Sequence, residues 1–272
     1  MKYLISLLFF FALQCAFAQH YDTVYFETEN VDENNEIYKL GNVYIYDYEI
    51  IDKGIPTKLL NNKGMFKGRT FEFIPATADT IKIEQIHLLV KPLESSGRTN
   101  ENQTEITYLE GPTFTGSSST GAAENEKNVW IHPIRYGFFG ALETAPFPYI
   151  KKPYEIGATW EDGLLIGQGW GDEKWGVWEG QLQLNYTYAV TGEETLTTPI
   201  GAIECYVIES TATSTIGVTR LKSYFSPKYG FVRLEYVLLN DLKVNMWLVD
   251  FKSDASFNDL RTFWQTKEYI KQ

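Results

Sequence analysis

The sequence predicts an all-β protein built on one curved antiparallel sheet that forms a half-open barrel, with a two-sheet β-sandwich as the alternative. Strand-like stretches alternate apolar and polar residues, so each strand has one buried and one wet face. The turns between them are short and marked by Pro, Gly and Asn, which favours antiparallel neighbours. Aromatic residues make up 15% of the chain, mostly Tyr and Phe, which pack well on a pleated surface.

The first residues have the form of an export signal. Leu4 to Leu13 is an apolar run too short to span a bilayer, and Ala16-Phe17-Ala18 is a small-x-small cleavage site. We expect residues 1–18 to be a cleaved signal peptide. The alternative is a lipid anchor on Cys15. The protein is therefore expected to be exported, to the periplasm or the exterior of a Gram-negative bacterium.

After the signal, one domain is expected, flanked by two short segments. Residues 19–42 form an N-terminal arm, 43–254 a single antiparallel β-domain and 255–272 a C-terminal tail. Within the domain, residues 111–128 are rich in Gly, Ser and Thr, which predicts a flexible loop. Cleavage would leave Cys205 as the only cysteine, so the fold must be held by its core rather than by an internal disulfide.

The clearest strands lie in the second half of the chain. Two of them alternate with the period of two that a half-buried strand requires. Their apolar faces are Leu182, Leu184, Tyr186, Tyr188 and Val190 in one, and Leu242, Val244, Met246 and Leu248 in the other. A third apolar face, made of Ile203, Cys205 and Val207, follows a Pro-Ile-Gly turn.

Three motifs in this half carry a resemblance to known proteins. They are IGATW at Ile156–Trp160, TPIGAIECYVI at Thr198–Ile208 and YFSPKYGFVR at Tyr224–Arg233. These motifs resemble those of exported bacterial proteins of the TapB-like group and of half-open β-barrels of the LolA/LolB type. The resemblance implies a curved sheet wrapped partly around itself that holds an apolar ligand. It transfers no catalytic residue.

Composition and motifs exclude several classes of function. The formal net charge is −11, and Lys and Arg are scattered among carboxylates, so nucleic acid is not an expected partner. No other apolar run is long enough for a transmembrane helix. His20, His87 and His132 lack metal-motif spacing, and Cys205 lies in an alternating strand like a small buried thiol. We therefore predict no cofactor, no metal and no catalytic residue.

The candidate ligand-binding residues are four tryptophans: Trp160, Trp170, Trp175 and Trp178. They are interleaved with carboxylates, and aromatic rings beside acids are typical of sugar-binding surfaces. Glu161 and Glu179 would be the pair for a glycosidase. The competing interpretation is that the tryptophans close one end of the barrel and that the acids are solvated.

These observations give one leading hypothesis and two alternatives. The leading hypothesis is an exported, non-enzymatic protein that binds a lipid or another apolar or amphipathic molecule inside the half-open barrel. The first alternative is a carbohydrate-binding or cell-envelope interaction module that uses the Trp-rich loop 160–178. The second, of low weight, is a hydrolase. The outcome depends on whether the interior of the sheet is open or packed.

Overall fold

The computed structural model describes residues 24–61, 71–91, 97–114, 116–255, 266, 268 and 269. Within these residues, fourteen strands form one antiparallel sheet that curls into a half-barrel. The all-β prediction is confirmed, and a single sheet takes the place of the sandwich alternative. None of the helices in the described part of the chain is long and apolar enough to cross a membrane.

The strands follow the chain with few interruptions. They are β1 Val43–Asp52, β2 Ile55–Leu59, β3 Phe73–Pro75, β4 Gln85–Val90, β5 Thr104–Gly111, β6 Ser117–Glu124, β7 Asn128–Ile131, β8 Tyr149–Lys151, β9 Thr159–Gly167, β10 Gln181–Thr198, β11 Gly201–Ser214, β12 Gly217–Ser226, β13 Gly230–Val237 and β14 Lys243–Lys252. Among the described residues, 3-10 helices lie at Gly137–Thr144, Gln168–Trp170 and Leu239–Asp241. The hydrogen-bonded order is β8-β7-β6-β5-β4-β1-β14-β13-β12-β11-β10-β9, with β2 beside β1 and β3 beside β2.

One prediction about the first half of the domain is wrong. Residues 117–124, placed in a flexible loop, form β6 between β5 and β7. Small Ser, Thr, Gly and Ala side chains lack the apolar alternation that marks a strand in the sequence. They still pair here because neighbouring strands supply the ladder, and the small side chains of Ala122 and Ala123 are buried in it.

The concave face of the sheet carries the main core. The apolar face predicted for β10 is buried at every position from Leu182 to Val190, and so is the face of β14 from Val244 to Leu248. Cross-strand pairing aligns these faces. For example, Tyr188 of β10 lies opposite Ser210 of β11, which lies opposite Leu221 of β12. The register thus places one buried row along the inside of the half-barrel, in which the hydroxyl of Ser210 is satisfied by the carbonyl of Leu221 at 2.8 Å.

The space enclosed by this face is filled by the chain itself. The 3-10 helix Gly137–Thr144 enters between β7 and β8, and Phe138, Phe139 and Leu142 are completely buried there. We call residues 132–148 the plug. The hydrogen-bonded path ends at β8 and β9, and the rings of Tyr149 and Trp160 on these two strands have centroids 5.4 Å apart.

The described part of the N-terminal arm is fastened to the end of β6. Both carboxylate oxygens of Glu124 accept backbone N–H bonds from residues 36–38, at 2.8–3.1 Å. Tyr38 is fully buried, and its hydroxyl sits where a side chain on Gly230 would collide. The arm therefore covers one mouth of the barrel, which we call the arm end.

Candidate functional site

The four candidate tryptophans do not form one exposed platform. Trp160 is buried on the inner face of β9, stacked on Tyr188 at a centroid distance of 5.2 Å and edge-on to Tyr149. Trp175 is fully buried and stacks on Phe71 at 5.7 Å. Neither ring has a free face for a ligand, since both are sandwiched by the core.

Trp170 and Trp178 lie nearer to the surface. Both are half-buried and pack against the core from the barrel end opposite the arm. The indole N–H of Trp175 donates to the backbone carbonyl of Trp170 at 3.0 Å, which ties the loop to the core below it. We call this mouth, closed by residues 168–178, the loop end. Sugar binding by Trp170 and Trp178 stays a prediction.

The two glutamates proposed as a glycosidase pair lie at opposite ends of one hairpin. Glu161 pairs with Thr187, whereas Glu179 precedes Gln181, which pairs with Gly167. Six residues of strand separate Glu161 from Gly167, or roughly 20 Å. Glycosidase carboxylates stand roughly 5–10 Å apart. These two residues therefore cannot act on one glycosidic bond, and the structure offers no support for that hydrolase mechanism.

Asp162, between these residues, has a structural role. Its carboxylate accepts the backbone N–H of Gly163 at 2.8 Å. Gly163 belongs to β9, which ends the sheet. An inward carboxylate that occupies an edge N–H is a known way to keep such a strand from pairing with another chain.

The barrel interior leaves little room for a ligand. Between Tyr108, Leu142 and Tyr236 the structure has a void of about 10 Å³, which is space for no more than one water molecule. Buried tyrosines also hold the plug by hydrogen bonds. Tyr108 donates to the carbonyl of His132 at 2.9 Å, and Tyr188 donates to that of Phe147 at 3.2 Å. The plug thus occupies the place expected for a ligand.

The convex face of β1, β4 and β5 carries a second, smaller apolar cluster. Residues that alternate with the core positions point outward here: Val43 and Ile45 of β1, Leu89 of β4 and Leu109 of β5 are all buried. Phe114 and Ala255 cover part of this cluster, and Tyr269 packs against it. A sheet face buried on the outside requires a cover, and Phe114, Ala255 and Tyr269 are the described residues that supply part of it.

A cleft of about 580 Å³ lies beside this cluster. We call it the convex cleft. Its lining residues are Ile45, His87, Phe251, Lys252, Ser253, Ala255, Glu268 and Tyr269. Its volume lies in the range of small-molecule sites, roughly 300–1,000 Å³. The lining combines aliphatic and aromatic groups with an amine, a hydroxyl and a carboxylate, so the cleft offers both apolar and polar contacts.

His87 and Tyr269 form the polar floor of the convex cleft. The Tyr269 hydroxyl lies 2.7 Å from Nδ1 of His87. Burial lowers the pKa of His87 to about 4, so the imidazole is neutral at pH 7. At the rim, Lys252 pairs with Asp250 at 2.8 Å, and both side chains remain partly exposed. The sequence showed His87 as an ordinary strand histidine because its partner Tyr269 is 182 residues away.

Other reactive side chains have ordinary surroundings. His132 lies in the plug 3.5 Å from Glu143, and burial lowers its pKa to about 4. Burial raises the pKa of Cys205 to about 12, which keeps the thiol protonated and unreactive. His20 lies outside the described residues. No cluster of three or more His, Cys, Asp or Glu in the described ranges could hold a metal ion.

Comparison with known proteins gives distant similarities of structure only. No family model matches the chain, and no curated protein matches it. A "putative lipoprotein" from Parabacteroides distasonis is 14% identical with a TM-score of 0.43, covering 79% of this chain and 97% of its own. A "putative exported protein with YmcC-like fold" from Bacteroides fragilis is 13% identical with a TM-score of 0.41. The match covers 79% of this chain and 97% of that protein. The hypothetical lipoprotein YmcC from Escherichia coli is 14% identical with a TM-score of 0.36, covering 80% and 90%.

None of these three structures is described as a TapB-like or LolA/LolB-type protein, so that part of the resemblance stays a prediction. What the structure shares with the expected architecture is the curled antiparallel half-barrel.

Proposed function

We propose that this protein is an exported, non-enzymatic binding protein for an apolar or amphipathic ligand. The observation that carries the proposal is the convex cleft, which combines a volume of about 580 Å³ with a lining of both apolar and polar side chains. The ligand lies on the convex face, not inside the half-barrel, because the plug fills the interior.

The contacts within the cleft favour an amphiphile over a purely polar ligand. Ile45, Phe251 and Ala255 offer apolar surface, which gains free energy when an alkyl or aromatic group displaces water from it. Lys252, Ser253 and the His87–Tyr269 pair offer a few hydrogen-bonding groups that would orient a polar head.

A titration with oleate and with a fluorescent hydrophobic dye tests this site. The wild-type protein is expected to bind both saturably, with the dye displaced by oleate. Ser253→Trp, which inserts a large ring into the cleft without removing a core side chain, is expected to weaken both at least tenfold. The matched control is Thr211→Trp, at a half-buried position in the middle of β11, and it is expected to bind like wild type.

The result that overturns this site is either no saturable binding by the wild type or equal binding by Ser253→Trp. Native mass spectrometry of protein exported by a Gram-negative host checks the rest of the proposal. A polypeptide mass that begins at Gln19 supports cleavage after Ala18, whereas a mass increased by acyl chains on Cys15 supports the lipid anchor.

A second candidate function is carbohydrate or envelope binding at the loop end. It is favoured by the half-exposed Trp170 and Trp178, which stand beside the exposed acids Glu173 and Glu179. A glycan array distinguishes it, since binding that is lost in both Trp170→Ala and Trp178→Ala and kept in Ser253→Trp would place the ligand at this end. A blank array removes this candidate.

A further inference from the structure

The loop end carries exposed apolar side chains on three separate segments. Ile55 is 58% exposed at the start of β2, Val177 is 64% exposed in the Trp-rich loop and Val218 is 42% exposed at the start of β12. We call these three residues the apolar tips. Large aliphatic side chains at such exposure are unfavourable in water, and several at one end of a protein mark an interaction surface.

Contacts among the turns show that the tips share this end. Lys174 in the Trp-rich loop pairs with Asp52 at 2.5 Å, and Asp52 lies opposite Ile55 in the β1–β2 hairpin. Gly176 and Gly217, which precede Val177 and Val218, both face the side chain of Leu239. The hairpin, the loop and the β12 turn are therefore held together by an ion pair and by packing on Leu239.

The chemistry of this end identifies the kind of surface that it fits. Trp170 and Trp178 lie half-buried in the same loop as Val177, and indole rings are enriched at the boundary between water and a lipid bilayer. Each tip lies on a different segment of the chain, so a fluid apolar layer can receive the three side chains one by one. A rigid protein partner would need three matching pockets.

The charges at this end select the type of lipid. Exposed Glu173, Glu179 and Asp241 lie at this end together with exposed Lys53, Arg220 and Lys243. The three acids and three cations balance, whereas anionic headgroups are normally bound through clusters of Lys and Arg. We propose that the loop end docks on the surface of an electroneutral lipid bilayer by shallow insertion of Ile55, Val177 and Val218.

Flotation with phosphatidylcholine–phosphatidylethanolamine vesicles at 0.15 M salt tests the proposal. The full exported chain carries Cys15→Ser in every sample, so that no acyl chain on this residue accounts for flotation. The protein is expected to float with the vesicles. Val177→Asp and Ile55→Asp are each expected to reduce binding on the order of tenfold, because each replaces an aliphatic group that inserts into the bilayer by a charge. Val218→Asp is expected to have a smaller effect, since this tip is the least exposed.

The matched control is Ile156→Asp. Ile156 is 59% exposed but precedes β9 at the arm end of the barrel, so this variant is expected to float like the unsubstituted protein. Ser253→Trp is expected to float normally as well, which separates this surface from the convex cleft. The proposal is overturned if the protein does not float, if Ile156→Asp loses as much binding as Val177→Asp, or if only anionic vesicles bind. Self-association without vesicles that Val177→Asp abolishes would also overturn it, in favour of a protein partner.

Discussion

Both faces of β1 and β4 carry apolar side chains, but the two faces are covered in different ways. The concave face packs against the plug, whose Phe138, Phe139 and Leu142 are completely buried. The convex face is covered by single side chains such as Phe114 and Ala255, and a cleft of about 580 Å³ remains beside them. An apolar strand face therefore does not by itself indicate a ligand site. The segment that covers the face decides whether room remains.

The largest expected difference in stability between the two faces comes from removing one large side chain from the cover of each. Phe138→Ala is expected to lower the free energy of unfolding by about 3–5 kcal/mol, because a fully buried ring leaves a cavity that close packing cannot refill. Phe114→Ala, in the smaller convex cluster, is expected to cost roughly 1–2 kcal/mol since fewer buried neighbours surround it. Urea unfolding of both variants measures this difference. Equal losses would mean that the two covers are packed alike.

A second difference concerns titration on the two faces. Glu110 of β5 alternates with the outward Leu109 and so points to the concave side, where burial raises its pKa to about 7. A raised carboxyl pKa means that the folded state prefers the neutral acid. This contribution to stability is full below pH 4.5 and is lost as pH rises through 7. Glu110→Gln is therefore expected to stabilise the protein by about 3 kcal/mol at pH 8 and to change little at pH 4.

On the convex face, the contribution of the neighbouring His87 to stability varies with pH in the opposite direction. Its pKa is lowered from 6.5 to about 4, so its contribution is present above pH 6.5 and is lost as pH falls towards 4. Thermal unfolding of wild type, Glu110→Gln and His87→Phe between pH 4 and 8 tests both signs. If the unfolding temperature of Glu110→Gln depends on pH as steeply as that of the wild type, Glu110 is solvated in solution.

The arm gives a third, intermediate effect. Glu124→Ala is expected to lower the free energy of unfolding by about 2 kcal/mol, because the N–H groups of residues 36–38 lose their acceptor in a buried place. Glu124→Gln, which keeps one acceptor oxygen, is expected to lose about half as much. The control Glu126→Ala removes an exposed acid two residues away and is expected to change stability by less than about 0.5 kcal/mol. Hydrogen exchange at residues 36–38 should rise most in Glu124→Ala, less in Glu124→Gln and not at all in Glu126→Ala.

The sequence predicted the walls of the barrel better than its contents. Leu182 to Val190 and Val244 to Leu248 alternate strongly, so local pattern alone revealed their buried faces. The plug has no period, since Pro133, Pro146 and Pro148 interrupt it, and only tertiary packing makes its 3-10 helix stable. The convex cleft was not foreseen because it joins His87 to Tyr269, which are far apart in the chain.

The smallest expected effect tests how the interior tyrosines hold the plug. Tyr108→Phe removes the hydrogen bond to the carbonyl of His132 and is expected to cost about 1 kcal/mol. Tyr236 is equally buried, but its hydroxyl has no hydrogen-bond partner within the described residues. Tyr236→Phe is therefore expected to be neutral or slightly stabilising, because it removes a buried polar atom without breaking a bond to the protein. Urea unfolding of the pair at pH 7 decides the point. A loss of about 1 kcal/mol in Tyr236→Phe as well would mean that this hydroxyl is bound in solution, and that the interior beside the plug is more polar than its packing indicates.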